Sequence, residues 1–368
     1  MQFDALQRTH FAITDILRRA QGDVVAACGL GPSEHPYQVM AAGTYWRLRV
    51  YGGGGSPSLL VVAAPIKRPY IWDLAPSVSA IRLCLRHGLN LHLLEWMPHS
   101  SGAASHGLDD YAIAIAHCVR EMSSRSAGGK PFLIGHSLGG TLAAIFAALA
   151  PESIGGLVLL CAPLCFKAGE SRFRDALVSL VPSTLPEAEP FPGSLLSHMS
   201  ALASPREFIW SRLADAALSL ADYRALEIHA RVERWALDEV PLPGKLVHQM
   251  IESLYRQDQF GRGALQVCGR RISPADISVA TLAVVNTDDE VAPPASIKPF
   301  VEALVTTDAR IIMYPGEIGV ALQHLGILIG RAAHARVWPE ILSWIHSRYQ
   351  TQSRAGAAAP RSAWSIRA

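Results

Sequence analysis

Gly135-His136-Ser137-Leu138-Gly139 follows a short apolar run, Pro131 to Ile134, and opens into an Ala-rich helical run from Thr141 to Ala150. The order is strand, turn, helix, with a serine at the apex. So tight a turn leaves no room for side chains two residues either side of the serine. Glycine there lets the backbone bend, and the strained apex lifts the Ser137 hydroxyl clear of the sheet. The pentapeptide alone arises by chance in many proteins; the strand before it and the helix after it make Ser137 the expected nucleophile.

A serine hydroxyl attacks poorly until a base takes its proton, and that base needs a carboxylate to hold its tautomer and support the imidazolium that forms. On elbows of this kind the chain order is serine, acid, histidine, as in α/β-hydrolases. After the apolar run Thr281 to Val285 comes Asn286-Thr287-Asp288-Asp289-Glu290-Val291, a polar turn at a strand's carboxyl end. Asp289 is the expected acid and Asp288 the alternative, because spacing alone does not separate adjacent carboxylates; Glu290 reads as a solvated neighbour. After Ala309 to Met313, Gln323-His324-Leu325-Gly326 stands ahead of the last helix, and His324 is the expected base. His334, at the start of that helix, reads as surface or structural, and His136 as a neighbour of the nucleophile.

The developing oxyanion needs two backbone N–H donors. Leu138, the residue after the nucleophile, is one. Ile66, in the loop after Leu59 to Ala64, is the other, since Pro65 has no N–H to give. Lys67 and Arg68 beside it would suit an anionic substrate, a solvated basic pair being the commoner use.

Apolar runs of strand length alternate with amphipathic segments: Leu59 to Ala64, a helix over Ser77 to His87, Leu91 to Trp96, a helix from Leu108 to Ser123, the Phe132 strand, the Thr141 helix, then Leu157 to Cys161. Later strands at Thr281 to Val285 and Ala309 to Met313 precede a closing helix over Ala333 to His346. Continuous apolar strands separated by helices imply an α/β fold, a mostly parallel, doubly wound sheet. Tyr45 to Tyr51 alternates as an antiparallel strand and ends in Gly52 to Gly55. Between Cys165 and Ile277 the strand signal gives way to helices broken by prolines, read as a helical cap over the sheet's carboxyl edge, with an independent helical domain as the alternative. The expected division is residues 1–44 as an N-terminal helical segment, 45–164 and 278–350 as the α/β-hydrolase core, 165–277 as the inserted cap, and 351–368 as a flexible tail.

The chain has 368 residues, 50% of them hydrophobic and 17% charged, ample for a large core. Its 33 basic and 31 acidic residues are mixed along the chain and leave a net charge of +2, which offers no footprint for nucleic acid. The N-terminus lacks the unbroken apolar core of a secretion signal, and no apolar run reaches the ~20 residues of a transmembrane segment, so a cytoplasmic protein is expected. Cys28, Cys84, Cys118, Cys161, Cys165 and Cys268 show no metal or redox spacing and read as buried free thiols. No metal or organic cofactor is implied.

Several stretches resemble the polyhydroxyalkanoate synthases, of the α/β-hydrolase superfamily, especially the short class. They are Pro65 to Leu74, where an asparagine usually replaces Lys67, Leu94 to Pro98, and Leu108-Asp109-Asp110-Tyr111. In the cap, Leu237-Asp238-Glu239-Val240-Pro241 to Gly244 and Leu254-Tyr255-Arg256-Gln257-Asp258 carry the likeness. The resemblance puts the family's nucleophile on Ser137, its acid on Asp289 and its base on His324. It departs where the synthases have cysteine at the apex and histidine after the aspartate; here stand Ser137 and Glu290. A serine oxyester is a lower-energy, slower acyl donor than a cysteine thioester. The expectation is therefore hydrolysis of (3-hydroxy)acyl esters or thioesters through acyl-Ser137, the alternative a synthase polymerising 3-hydroxyacyl-CoA or a related depolymerase. A non-catalytic relative that binds polyester granules or a synthase partner is the reading of another class. The resemblance implies an acyl ester or acyl-CoA substrate, and allows a polyester granule surface or a partner subunit.

Overall fold

Leu59, Leu60, Val61 and Val62 are all buried, so their strand is covered on both faces, and the same holds for the other central strands. The computed structural model describes residues 5–358 other than 53–54, 99–105, 126–128, 183–184 and 186. The strands, in chain order, are β1 Tyr37–Ala42, β2 Trp46–Tyr51, β3 Ser58–Val62, β4 Asn90–Trp96, β5 Phe132–His136, β6 Gly156–Leu160, β7 Leu265–Val267, β8 Arg270–Ile272, β9 Thr281–Asn286 and β10 Ala309–Tyr314. Eight of them form one sheet in the order β1-β2-β4-β3-β5-β6-β9-β10. The first two pairings, β1 with β2 and β2 with β4, are antiparallel, and the rest of the sheet is parallel. This is the α/β-hydrolase architecture expected from the alternating pattern.

The helices are α1 Ala5–Val25, α2 Ala80–Arg86, α3 Leu108–Arg125, α4 Leu138–Leu149, α5 Arg172–Leu180, α6 Gly193–Ala203, α7 Ser211–Ser219, α8 Tyr223–Ala236, α9 Gly244–Gln249, α10 Lys298–Glu302, α11 Gly326–Ile329 and α12 Trp338–Ala358. The last strand before the cap, β6, and the first after it, β9, are parallel hydrogen-bonded neighbours, so residues 161–280 leave the sheet at its carboxyl edge and re-enter at the amino end of the adjacent strand. Helices α5 to α9 lie in that excursion. The N-terminal helix joins them: the buried Asp15 carboxylate of α1 accepts from Gly193 N at 3.1 Å and Ser194 N at 2.8 Å, filling the donors that open α6.

Three boundaries differ from the sequence reading. The 1–44 segment is not wholly helical, because Tyr37–Ala42 forms edge strand β1. The cap region contains a hairpin, β7 with β8, turned by Cys268 and Gly269, which both have positive φ. Helix α12 runs to Ala358, into the stretch read as a tail; residues 359–368 of that tail lie outside the described residues, as do Gly53 and Gly54. Among the described residues no helix is long and apolar enough to cross a membrane.

The elbow is where glycine is sterically required. A Cβ on Gly139 would stand 2.2 Å from the Val62 carbonyl oxygen, and one on Gly135 would stand 2.5 Å from the Gly139 carbonyl oxygen. Both obstacles are backbone and cannot swing aside. Gly139→Ala is expected to destabilise the fold by ~1–3 kcal/mol in urea denaturation, the cost of overpacking; a midpoint equal to wild type would contradict this packing.

Candidate active site

Ser137 sits between β5 and α4 with φ 54 and ψ −134, a conformation that costs ~1–3 kcal/mol for a residue with a side chain. Hydrogen bonds hold it there: Ser137 N donates to Leu160 O at 3.1 Å, and Ser137 O accepts from Gly140 N at 2.9 Å and Thr141 N at 3.1 Å. Leu138 is the first residue of α4, so its N–H has no acceptor within the helix. Leu138 and Ile66, the expected oxyanion donors, line the same cavity as Ser137.

The acid and base loops leave adjacent strands, β9 and β10, at the same sheet edge. Asp289 is 2% exposed; its Oδ1 accepts from Val291 N at 2.8 Å and Ala292 N at 3.0 Å, which turns Oδ2 to accept from His324 Nδ1 at 2.7 Å. A proton on Nδ1 leaves the Nε2 lone pair free to act as a base. That Nε2 is buried without a hydrogen-bond partner and belongs to a residue lining the Ser137 cavity. It does not bond the Ser137 hydroxyl directly; such contacts tighten when substrate is held. Burial pushes the His324 imidazole down, but the Asp289 charge and hydrogen bond, helped by Glu207, outweigh it and hold it above its ordinary value.

The other candidates are distributed as follows. Asp288 is exposed and only its backbone N–H is engaged locally, with Asn286. Glu290 is half-buried rather than freely solvated: it accepts from Ser204 Oγ and pairs with Arg206 at 3.2 Å. His136 lies behind the base, donating from Nε2 to His324 O at 2.7 Å, and burial drives it down to about 3, so it is a neutral support. His334 bonds Leu328 O at 2.6 Å, away from the triad. Lys67 lines the cavity but is not a freely solvated cation. Its ammonium pairs with buried Glu239 at 2.7 Å and donates to Ala236 O at 2.6 Å, while burial, against the pull of Glu239, lowers its affinity for the proton. Arg68 lines the cavity as well. Cys84, Cys118 and Cys161 are buried and Cys165 is half-buried, whereas Cys28 and Cys268 are exposed, against expectation. Cys161, at the end of β6, is kept well above the thiolate range by burial and by the charge of Asp289.

Two cap carboxylates that the sequence did not single out shape the base loop. Asp215 of α7 accepts from Gly319 N at 2.6 Å, Val320 N at 3.2 Å and Ala321 N at 2.9 Å, and from His229 Nδ1 at 2.9 Å. Gly319 and Ala321 both have positive φ, so the turn is a nest of N–H groups closed by this carboxylate. Glu207 accepts from His324 N at 3.2 Å. Nothing in their spacing marks either acid, because each meets the base loop only across the cap interface.

The cavity between sheet edge and cap has a volume of about 460 Å³. Its apolar wall includes Phe173, Leu177, Phe208, Trp235, Met250 and Tyr255, all from the cap. A family model described as the alpha/beta hydrolase fold matches residues 72–199. The poly(3-hydroxyalkanoate) polymerase subunit PhaC of Haloferax mediterranei is 27% identical over 303 residues, 80% of this chain and 59% of that one. The corresponding subunit of Haloarcula marismortui is 26% identical over 79% of this chain and 61% of its own length, and that of Allochromatium vinosum 24% identical over 79% and 81%. The chain is thus similar to these polymerase subunits and has the α/β-hydrolase fold. It spans about 59–61% of the length of the first two of these relatives. In fold, the chain is similar to a carboxylesterase structure from the thaumarchaeon Nitrososphaera gargenis, with a TM-score of 0.51, 15% identity and coverage of 85% of this chain and 99% of that one.

Asp289→Asn removes the charge that holds His324 up while leaving the ring buried. The imidazole is expected to titrate below its ordinary ~6.5 in histidine-labelled NMR; an unchanged titration would show that Asp289 does not govern it.

Proposed function

We propose that this chain transfers 3-hydroxyacyl groups from a coenzyme A thioester to Ser137 and on to the hydroxyl of a growing polyester. What carries the reading is the similarity to poly(3-hydroxyalkanoate) polymerase subunits over about four-fifths of the chain, cap included. That similarity supports polymerisation better than the hydrolysis expected from a serine nucleophile. The apolar cavity over Ser137 supports it too, since an acyl-enzyme under apolar side chains is shielded from water while a bound hydroxyacyl chain can reach it.

In the first half-reaction, His324 Nε2 takes the Ser137 proton as Oγ attacks the thioester carbonyl. The oxyanion is received by the N–H groups of Leu138 and Ile66; the C–S bond then breaks and the imidazolium returns the proton to the thiolate. In the second, His324 takes a proton from the hydroxyl of the acceptor, whose oxygen attacks the acyl-Ser137 carbonyl, and the serine leaves with the proton restored. Passing an acyl group from one oxyester to another is close to thermoneutral, so the thioester consumed in the first half drives growth. Serine in place of cysteine makes the second half slower without making it uphill.

Hydrolysis remains the second reading, favoured by the serine itself. With 3-hydroxybutyryl-coenzyme A, the proposal expects thiol release accompanied by polymer; thiol with only free acid would overturn it in favour of hydrolysis. Ser137→Ala is expected to lower thiol release by at least ~10³-fold, and full activity in that variant would remove the nucleophile. Ser137→Cys is expected to raise the ratio of polymer to free acid.

A further inference from the structure

One short stretch of the cap touches both loops of the candidate triad. Glu207 is 2% exposed, and its Oε1 accepts from the backbone N–H of His324 at 3.2 Å. Its own N–H donates to Ser204 Oγ at 3.3 Å, and that hydroxyl donates in turn to Glu290, the residue after Asp289. Arg206 closes the same contact by pairing with Glu290. The segment is wound as a π-helix over Arg206–Trp210, a geometry that recurs at functional sites because it re-aims a side chain without ending the helix.

We infer that Glu207 is a positioning residue for His324, fixing the base's backbone from the cap and setting, through its carboxylate, how readily the imidazole takes a proton. The inference rests on the reading of Ser137, Asp289 and His324 as an acyl-transfer triad. A glutamine would satisfy the same His324 N–H without the cost of burying a charge. The ionisable group therefore has an electrostatic consequence that packing alone does not require.

The groups facing Glu207 come from three elements. Asp289 and Glu290 lie on the loop after β9, and His324 on the loop after β10 with His136 behind it. On its own turn, Arg206 is largely exposed and directed to Glu290. Burial raises Glu207 to about 7, with Asp289 adding to the rise and His324 opposing it, so Glu207 changes charge in the range where the base must be neutral. When ionised, it favours the imidazolium. Removing its charge therefore lowers the pH at which His324 becomes a free base.

The test uses a probe that does not depend on the acyl substrate: the second-order rate constant for labelling by a fluorophosphonate, measured against pH in wild type and Glu207→Gln. The expected result is labelling at Ser137 in both proteins, with the acidic limb of the variant displaced downward by on the order of one pH unit. A labelled variant whose limb has not moved overturns the inference and leaves the triad standing. A wild type that takes no label removes the nucleophile, and the inference with it. A second measurement needs no variant: in histidine-labelled NMR of the wild type, His324 is expected to show a second inflection from Glu207 at about pH 7 in addition to its own. A single inflection contradicts the coupling.

Discussion

A buried hydrogen bond from His324 Nδ1 to Asp289 Oδ2, 2.7 Å long, is the contact on which the proposed chemistry depends. It joins two loops that are 35 residues apart in the chain and adjacent only because β9 and β10 pair in parallel. A carboxylate this buried would be costly alone. It is stabilised by two backbone N–H groups at the start of the next turn and by the imidazole it orients. Remove the parallel register and the acid faces nothing. Remove the acid and the ring loses both its tautomer and the charge that stabilises its protonated form.

The cap is built into this arrangement from two sides. On one side, two of the stretches that carry the family resemblance, Pro65 to Leu74 and Leu237 to Gly244, meet each other. Lys67 of the loop after β3 pairs with Glu239, Tyr70 donates to Asp238 at 2.6 Å, and Trp235 Nε1 donates to Arg68 O at 2.8 Å. The loop carrying the expected oxyanion donor Ile66 is thus tied to the cap by partly desolvated polar contacts. On the other side, Asp215 closes the nest at 319–321 and Glu207 meets the base itself. A displacement of the cap would therefore disturb the oxyanion loop and the histidine together, so the cap is part of the scaffold of the site as well as its cover.

Much of this was legible in the chain because parallel strands announce themselves. Leu59 to Val62, Phe132, Leu157 and Thr281 stand in strands covered on both faces, and a buried strand reads as a continuous apolar run. A polar turn after such a run lies at the sheet's carboxyl edge, which is why Ser137, Asp289 and His324 could be placed on one edge from order alone. The misses have physical causes of the same kind. Strand β1 is a half-exposed edge strand without clean alternation, and β7 and β8 are too short to show a period; their turn uses Cys268-Gly269 in place of the usual Asn-Gly. Lys67 looked solvated because its partner Glu239 is distant in sequence. Glu207 and Asp215 look like ordinary helical acids until the cap folds back over the sheet.

The central claim is that Ser137 becomes covalently acylated with His324 as its base. Rapid mixing with 3-hydroxybutyryl-coenzyme A, acid quenching and peptide mass spectrometry would test this most directly. The account predicts a hydroxyacyl mass increment on the peptide containing Ser137, formed within the first turnover and strongly diminished when His324 is replaced by glutamine. An increment on Cys161, Cys165 or any other side chain, or turnover with no acylated peptide at all, would contradict it.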